Sequence, residues 1–319
     1  NEAILPMQHT DLVDRGEPVS SIHPRGVSWH QELRHAIRSG RELGGRLGMA
    51  DLDQPGVRQA EGLFPVVVPG PILQQVDVSV ADDPVLKQFL PSEQELVARP
   101  GFVPDAVGDG EARRAPGMLH KYHGRVLLIV TGACAVHCRY CFRRHYPYGD
   151  EPKDLASFET ALQQIELDRS IHEVILSGGD PLTRTDAWLA GLVSRLRGMD
   201  HLSTLRVHTR MPIVIPSRVT AELIQWMTDS RLTPTMVLHV NHAREIGLEA
   251  ERAVGRLREA GIVLLNQSVL LAGVNDSVDA LEGLSRSLHR LGILPYYLHQ
   301  LDRVTGSAHF EVPVERGTE

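Results

Sequence analysis

The sequence lacks the features of a membrane, secreted or nucleic-acid-coating protein. No apolar run in its 319 residues approaches the ~20 residues that a membrane-spanning helix requires. The opening stretch NEAILPMQHTDLVDRG has neither the basic region nor the apolar segment of a secretory signal. A formal net charge of -7 argues against non-specific binding to nucleic acid. These absences predict a cytoplasmic protein, and its 42% hydrophobic and 23% charged residues are ordinary for a chain with a buried core.

Cysteine is scarce, and its placement excludes a disulfide framework. The chain has three cysteines, Cys134, Cys138 and Cys141, in the spacing C-x3-C-x2-C within TGACAVHCRYCFRRHYPYG. Three thiols cannot all pair, whereas three thiolates of one tight loop can ligate three irons of a cubic 4Fe-4S cluster and leave the fourth iron open to a small molecule. The alternatives are inert thiols or a structural zinc site, which would need a fourth ligand such as His137 or His145.

The pattern of the chain changes near residue 118. Before it, proline and glycine interrupt nearly every periodic run, and only 28–47 has the pattern of an amphipathic helix. We expect 1–118 to be a mainly helical or irregular region that wraps around the rest. From Arg125 onward, short apolar runs alternate with helical periods, which indicates βα units around a parallel sheet. Strands are predicted at 125–132, 173–179, 204–210, 235–240, 262–271 and 294–301, and helices near 155–168, 185–198, 220–229, 247–260 and 277–291.

Six predicted strands are too few to close an eight-stranded barrel. The expected class is therefore α/β, with a partial (β/α)6-type barrel over 119–305 and a C-terminal segment at 306–319. Such folds place their chemistry at the carboxyl ends of the strands, where the cysteine loop follows the first strand and SGGDPL the second. Gly178 and Gly179 would let backbone approach a ligand closely, although most Gly-Gly pairs merely turn the chain.

These motifs resemble the radical S-adenosylmethionine (SAM) superfamily, in which the open iron binds SAM. Gly178, Gly179 and Asp180 match its GGE-like turn for the amino group of SAM, and Tyr140 matches the residue that packs on the adenine. The segments HKYHGRVLLIVTG, TRMPIVIPSRVT, HVNHAREI, LLNQSVLLAGVND and PYYLHQLD are similar to lysine 2,3-aminomutases, with a resemblance that covers about residues 84–312. HKYH, CRYCFRRH and PYYLH are most similar to the branch that makes β-lysine for modification of elongation factor P.

The resemblance implies an isomerase with three cofactors, a 4Fe-4S cluster, SAM and pyridoxal 5'-phosphate (PLP). Cleavage of SAM by the reduced cluster would give a 5'-deoxyadenosyl radical that takes a hydrogen from the β-carbon of PLP-bound L-lysine, after which the amino group migrates. The resemblance also implies an electron donor such as flavodoxin or ferredoxin, and the elongation factor P lysylation enzyme as a partner. No membrane or nucleic-acid partner is expected.

Several polar residues acquire roles by position in this family. Lys121 and Arg125 resemble the basic pair that holds the PLP phosphate, with a solvated basic turn as the alternative. Arg143 resembles the arginine that binds the substrate carboxylate, and Arg144 is its rival. Asp302 resembles one of two aspartates that pair with the ε-ammonium of lysine, which favours lysine over glutamate as substrate, with a capping or loop aspartate as the alternative.

Gln267 and three histidines are less sharply defined. Gln267 matches a glutamine near SAM, and an amide that satisfies backbone is the alternative. His239 and His242 bracket the end of a strand, and alternation sends them to opposite faces, so we expect packing roles rather than a second metal site. His299 stands where catabolic lysine 2,3-aminomutases tend to carry a tyrosine near the pyridine ring, which leaves the tuning of that ring open.

The resemblance also implies a residue that the quoted sequence lacks. These aminomutases bind PLP covalently through a lysine beyond the last strand, together with a second substrate aspartate. The three lysines of this chain are Lys87, Lys121 and Lys153, and none lies there. We expect the sequence to be a shortened form of a longer polypeptide, and the alternative is a protein that forms no covalent link to PLP. No Schiff-base lysine is assigned.

Three functions remain open at this stage. They are an L-lysine 2,3-aminomutase that supplies elongation factor P modification, a catabolic lysine or other amino-acid 2,3-aminomutase, and a non-catalytic iron-sulfur or zinc-binding protein. Reductive cleavage of SAM would separate the third from the others, and a comparison of lysine with glutamate and other amino acids would separate the first two.

Overall fold

The fold is built on one eight-stranded sheet whose strands lie side by side in chain order. The computed structural model describes residues 27–49, 52, 54–80 and 82–318. Within these residues the first and last strands do not pair, so the barrel is open. The strands are β1 (Arg113–Ala115), β2 (Met118–Tyr122), β3 (Arg125–Thr131), β4 (Glu173–Gly178), β5 (Thr204–Thr209), β6 (Thr233–His239), β7 (Val263–Val269) and β8 (Leu294–His299).

Six strands, β3 to β8, run parallel, and β1 and β2 extend the sheet in antiparallel pairing ahead of β3. The predicted partial barrel and its six strands are confirmed. β1 and β2 were not predicted, because they are short and Pro116 and Gly117 lie between them. Gly117 and Gly124 have φ values of 76° and 80°, a left-handed conformation that favours glycine in the two tight turns that reverse the chain.

Helices follow the parallel strands as predicted, with ends that differ by a few residues. Thr185, Thr220 and Ser277 accept hydrogen bonds from the first turns of three of them, which explains where those helices begin. The helices are α1 (Trp29–Arg34), α2 (Gly40–Leu47), α3 (Pro55–Leu63), α4 (Gly70–Leu73), α5 (Asp109–Ala112), α6 (Glu159–Leu167), α7 (Asp186–Arg197), α8 (Met211–Val214), α9 (Ala221–Thr228), α10 (Leu248–Glu259), α11 (Val278–Arg290) and α12 (Val314–Thr318).

The single amphipathic helix predicted for 28–47 is wrong. The chain forms two helices there, α1 and α2, separated at Ile37, whose backbone exchanges hydrogen bonds of 2.8 and 3.0 Å with Val68. Ser39 then accepts from the backbone of Glu42 and starts α2. A tertiary backbone pairing and a new cap therefore override the helical period.

The two faces of the parallel sheet differ in chemistry. Alternate residues such as Val126, Leu128 and Val174 are buried in one large core with the helices. The strand registers place the opposite set on a shared face that must line the interior of the barrel. That face carries polar side chains together with apolar ones such as Ile129 and Val237, so polar groups line part of the barrel interior. Its members include Arg125, Glu173, Ser177, Arg206, His208, His239, Gln267, Tyr297 and His299.

Residues before the barrel pack against its carboxyl-end loops. Val103 bridges to Val304, and its N–H donates to the carbonyl of Arg303 at 2.9 Å. Trp29, Ile72 and Phe89 belong to the same core as the barrel helices. The division of the chain near residue 118 stays a prediction. No helix in the described part of the chain is long and apolar enough to cross a membrane.

Candidate active site

The cysteine loop leaves the carboxyl end of β3 and is held by backbone from earlier in the chain. The N–H of His137 donates to Val67 O at 2.9 Å, and the N–H of Arg139 donates to Gln88 O at 2.9 Å. Within the loop, the N–H of Cys141 donates to Cys138 O at 3.0 Å. All three cysteines are free thiols and partly exposed. The loop is therefore a turn held by backbone hydrogen bonds, and it carries all three cysteines.

Two arginines of the loop attach it to other parts of the chain. Arg139 is fully buried and donates through Nε and Nη2 to the carboxylate of Glu95, at 2.8 and 2.6 Å. Arg144 donates to the same carboxylate at 2.7 Å, and to the carbonyls of Arg139 and Gly306. Arg144, the rival for the substrate carboxylate, thus uses Nη1 and Nη2 for protein contacts, and its Nε is buried without a partner among the described residues. Arg143 is the arginine that faces the interior.

The two histidines considered as a fourth zinc ligand each bond a backbone carbonyl through one ring nitrogen. His137 Nδ1 bonds to Pro65 O at 2.8 Å, and His145 Nε2 bonds to Thr305 O at 3.0 Å. Over the described residues, no three His, Cys, Asp or Glu side chains are grouped closely enough to hold one metal ion. A mononuclear zinc site needs four such ligands on a single ion, whereas in a 4Fe-4S cube each cysteine ligates its own iron.

The thiols are close enough to influence one another. Burial raises the pKa of Cys141 to about 11, and the charge of Cys138 adds to the rise. Burial raises the pKa of Cys134 well above its ordinary value, and Cys141 and Asp180 contribute to that shift. Bound iron would reverse this repulsion, because a cationic centre stabilises coordinating thiolates. The donor set therefore fits an iron-sulfur cluster.

The two glycines at the end of β4 are required by packing against the end of β3 and the start of the cysteine loop. A Cβ on Gly178 would lie 2.4 Å from Thr131 O, and one on Gly179 would lie 2.2 Å from Ala133 O. Gly178 also has a φ of 121°, which side chains rarely adopt. The close approach at these glycines is made to protein backbone, and their approach to a ligand stays a prediction.

The carboxylate of Asp180 is occupied by protein donors. It accepts from Thr209 Oγ1 at 2.7 and 2.9 Å, and from the N–H groups of Arg210 and Leu182 at 2.8 and 3.0 Å. Its own N–H donates to Ala133 O at 2.8 Å. Asp180 therefore joins the ends of β4 and β5 to the cysteine loop. Contact between Asp180 and SAM stays a prediction.

Tyr140 lies in a buried polar network behind the cysteines. Its hydroxyl accepts from Asn241 Nδ2 at 2.6 Å and Arg210 Nη1 at 2.7 Å, and it lies 2.8 Å from His239 Nε2 and 3.3 Å from Gln88 Oε1. Its ring packs edge-on against Phe310 with centroids 5.8 Å apart. Tyr140 is 5% exposed, so its position is fixed by protein contacts. Packing on an adenine stays a prediction.

Asp109 was missed by the sequence reasoning and links two of the predicted ligand-binding cations. Its Oδ2 accepts from Arg143 Nε at 2.7 Å, and its Oδ1 lies 2.6 Å from Lys121 Nζ. Arg143 Nη1 also donates to Ser177 Oγ on β4 at 3.1 Å. Among the described residues, Arg143 Nη2 has no hydrogen-bond partner. One edge of the guanidinium is therefore oriented by protein, and Nη2 is available to an anion.

Asp302 lies after β8 near the same cations. Within the described residues its carboxylate accepts no hydrogen bond. Burial raises the pKa of Asp302, and the positive charges of His299, Lys121 and Arg143 oppose that rise. A half-buried carboxylate without a donor is a costly arrangement unless a cation completes it.

The three histidines weighed as metal ligands each contact protein groups, and Gln267 lies on the interior face. His242 Nδ1 accepts from the N–H of Arg244 and caps a short 3-10 helix, while His239 bonds to Tyr140. His299 stacks 5.1 Å from Tyr297 on β8. Gln267 pairs along the sheet with His239 and Tyr297, which places its side chain between them on the interior face.

His208 is a further residue that the sequence reasoning did not single out. It lies on β5, and its buried Nε2 has no hydrogen-bond partner among the described residues. Burial, with Arg206 and Arg143 nearby, lowers the pKa of His208 to about 3, so the ring is neutral. Its place on the polar face of a parallel strand was the available signal.

The phosphate-binding residues predicted for PLP lie at the start of the barrel. Lys121 Nζ uses two contacts, Asp109 Oδ1 at 2.6 Å and Val107 O at 2.7 Å. Arg125 Nε lies 3.4 Å from Glu173 Oε2 and, although buried, makes no hydrogen bond to the described residues. Both cations therefore keep unused donors, as an oxyanion site requires.

Comparisons with known proteins agree with this architecture. A model of the radical SAM superfamily matches residues 128–282, from β3 into α11. Together with the open parallel barrel and the cysteine loop, the match places the protein among radical SAM proteins. The chain is 44% identical to the L-lysine 2,3-aminomutase of Escherichia coli K12 over 80% of this chain and 74% of that protein.

Two further relatives extend this similarity. The L-lysine 2,3-aminomutase of Haemophilus influenzae is 42% identical, and that of Buchnera aphidicola is 40% identical; each match covers 89% of this chain and 84% of the relative. The chain belongs to the lysine 2,3-aminomutase family.

Proposed function

We propose that the protein is an L-lysine 2,3-aminomutase, an isomerase that moves the amino group of L-lysine from C2 to C3 and yields β-lysine. The observation that carries the proposal is that a cation and a carboxylate, each with hydrogen-bonding capacity left for a ligand, lie near each other in the barrel. Arg143 offers Nη2 to a carboxylate, and Asp302 offers a carboxylate without a donor to a cation. L-lysine carries both complementary groups, while glutamate would bring a second carboxylate towards Asp302.

The cofactors of the proposal are a 4Fe-4S cluster, SAM and PLP. When bound, they supply the electron, the 5'-deoxyadenosyl radical and the electron sink on which the migration depends. The protein's part is to bind and orient. Cys134, Cys138 and Cys141 would hold three irons, the Gly178–Gly179 turn and Gln267 would flank SAM, and Tyr140 would limit the space for its adenine.

Lys121 and Arg125 would hold the PLP phosphate with the donors that Asp109 and Glu173 leave unused. Asp109 has a second task in this scheme, because it fixes Arg143 by its other oxygen. One buried carboxylate would therefore orient the phosphate-binding and the carboxylate-binding cations together, which sets the distance between cofactor and substrate. No lysine is assigned to the covalent link with PLP.

The resemblance of HKYH, CRYCFRRH and PYYLH extends the proposal to its setting. We include a cytoplasmic location, reduction by a flavodoxin or ferredoxin, and supply of β-lysine for elongation factor P modification. This setting is tested by comparing L-lysine with other amino acids as substrate. Purified elongation factor P and its lysylation enzyme then serve as acceptors of the product.

The experiment that tests the function uses protein reconstituted anaerobically with iron and sulfide. We expect about four irons per chain, cleavage of SAM to 5'-deoxyadenosine and methionine on reduction, and stimulation of that cleavage by L-lysine with PLP. Cys138→Ala should lose both the cluster and the cleavage. A Cys138→Ala variant that still cleaves SAM would contradict the assignment, as would stimulation of the wild type by glutamate instead of lysine.

A further inference from the structure

The three cysteines of the loop differ in their surroundings. Arg210 Nη1 donates to Cys138 Sγ at 2.9 Å. Among the charged side chains of the described residues, Arg210 alone donates a hydrogen bond to a cysteine sulfur, and the Tyr140 side chain hydrogen-bonds the same sulfur. Cys138 therefore carries a contact from a charged donor that Cys134 and Cys141 do not share.

The guanidinium of Arg210 is held so that it cannot turn away from the sulfur. Its Nη2 donates to Glu245 Oε2 at 2.5 Å and to Gln88 Oε1 at 2.8 Å. Its plane lies over the ring of Phe89, 4.8 Å from the centroid, and the side chain is 5% exposed. Nη2 and the face of the guanidinium are thus held by protein, while Nε is buried without a hydrogen-bond partner among the described residues.

Glu245 is itself held by donors that include the backbone just after β6. Its Oε1 accepts from the N–H groups of Asn241 and His242, both at 2.9 Å, and from Gln88 Nε2 at 3.0 Å. Glu245 is fully buried. A buried carboxylate with four donors holds its charge in place, so the orientation of Arg210 is set before any cluster binds.

We propose that Arg210 is a positioning residue that raises the reduction potential of the cluster through its hydrogen bond to Cys138, an inference that rests on the proposed function. A one-electron reduction adds negative charge to the cluster. A positively charged N–H donor at a ligating sulfur stabilises the reduced form more than the oxidised form. In a water-poor site this contact makes the electron easier to place on the cluster that must reduce SAM.

The same nitrogen also reaches the hydroxyl of Tyr140 at 2.7 Å. Arg210 therefore ties a cluster ligand to the aromatic residue next to Cys141. Because loss of this second contact could alter SAM binding, the potential must be measured without SAM.

The test compares reconstituted wild type with Arg210→Gln, with the Arg210→Gln/Glu245→Gln double variant, and with Arg218→Gln. The double variant removes the donor without leaving Glu245 as an unpaired buried charge. Arg218 is a matched control, because it is fully buried, pairs with Asp186 Oδ1 at 2.8 Å and stacks on Trp29, and makes no contact with a cysteine. The measurement is the midpoint potential in a redox titration followed by electron paramagnetic resonance.

We expect Arg210→Gln and the double variant to have more negative midpoints. At the potential where wild type is half reduced, their ratio of reduced to oxidised cluster should fall about tenfold, a shift of about 59 mV for one electron. Arg218→Gln should lose thermal stability and keep the wild-type midpoint. If Arg210→Gln does not load iron, Arg210→Lys, which keeps the charge but loses the planar fork, should show a smaller shift of the same sign.

The outcomes separate this inference from the proposed function. Wild type that binds no cluster overturns the proposed function. A loaded cluster whose midpoint is unchanged in both Arg210→Gln and the double variant overturns the role of Arg210 alone. An equal shift in Arg218→Gln would also overturn it, because the effect would then follow from general loosening of the fold.

Discussion

Replacement of Asp302 by Asn should remove the recognition of the distal end of the substrate and leave SAM binding intact. The amide keeps the shape of the side chain and loses its charge. An ion pair at about 4 Å and an effective dielectric constant of about 20 contributes roughly 4 kcal/mol. Asp302 is only partly buried, and desolvation of the ammonium offsets part of this attraction. We therefore expect the replacement to cost about 2 kcal/mol of lysine binding free energy. This free energy corresponds to about a thirty-fold change in affinity.

The assay measures the concentration of amino acid that half-maximally stimulates SAM cleavage. L-lysine is compared with L-norleucine, which has the same carbon chain without the ε-ammonium. In wild type lysine should be preferred, and in Asp302→Asn that preference should shrink by about thirty-fold while SAM affinity is retained. An exposed carboxylate such as Asp200, replaced by Asn, serves as the control and should change neither value. An unchanged preference for lysine in Asp302→Asn would refute the assignment, and equal loss of SAM binding would make Asp302 structural.

Three further predictions follow from the contacts of the site. Arg143→Lys should raise the half-stimulating lysine concentration about tenfold or more, because a charge-assisted hydrogen bond is worth about 1.5–3 kcal/mol. Arg144→Lys should lower the thermal midpoint and leave the lysine dependence unchanged. The reverse result would make Arg144 the substrate ligand. Burial raises the pKa of Asp302 in the folded state, so its ionised form lowers the free energy of unfolding at pH values above the ordinary pKa of 3.8. Asp302→Asn should therefore stabilise the protein at pH 7, and this gain should disappear as the pH falls below 3.8. A gain in stability that persists at low pH would exclude the ionisation of Asp302 as its cause. Gly179→Ala should cost about 1–3 kcal/mol in unfolding free energy and reduce iron loading, since its Cβ would meet Ala133 O, while Gly149→Ala, with open space around it, should be neutral.

The parallel part of the fold was predictable because local patterns and tertiary demands agree there. Each strand from β3 to β8 is a short apolar run, and capping residues such as Thr185 and Ser277 mark the helices that follow. The region before the barrel was less readable. Ile37 leaves the helical period to pair with Val68, and nothing local signals a partner 31 positions away.

The residues of the site also differ in whether local sequence could predict them. The cysteine spacing and the Gly-Gly turn are local signals, and the structure brings their backbones into direct contact. Glu95 and Asp109 lie in a stretch broken by proline and glycine, and their importance comes from arginines 34 to 49 positions later. Arg210 had a usable signal, since it directly follows β5 at the carboxyl edge, where such folds place polar groups. Its contact with Cys138 became evident only from the fold.

The most direct test of the account follows a hydrogen atom from the substrate. Reconstituted protein is reduced with dithionite in the presence of SAM, PLP and L-lysine deuterated at C3, and the 5'-deoxyadenosine is analysed by mass spectrometry. The account predicts deuterium in the 5'-deoxyadenosine, and none when C6-deuterated lysine is used instead. 5'-Deoxyadenosine that forms without deuterium from C3 would contradict the assignment of L-lysine as the substrate of this site.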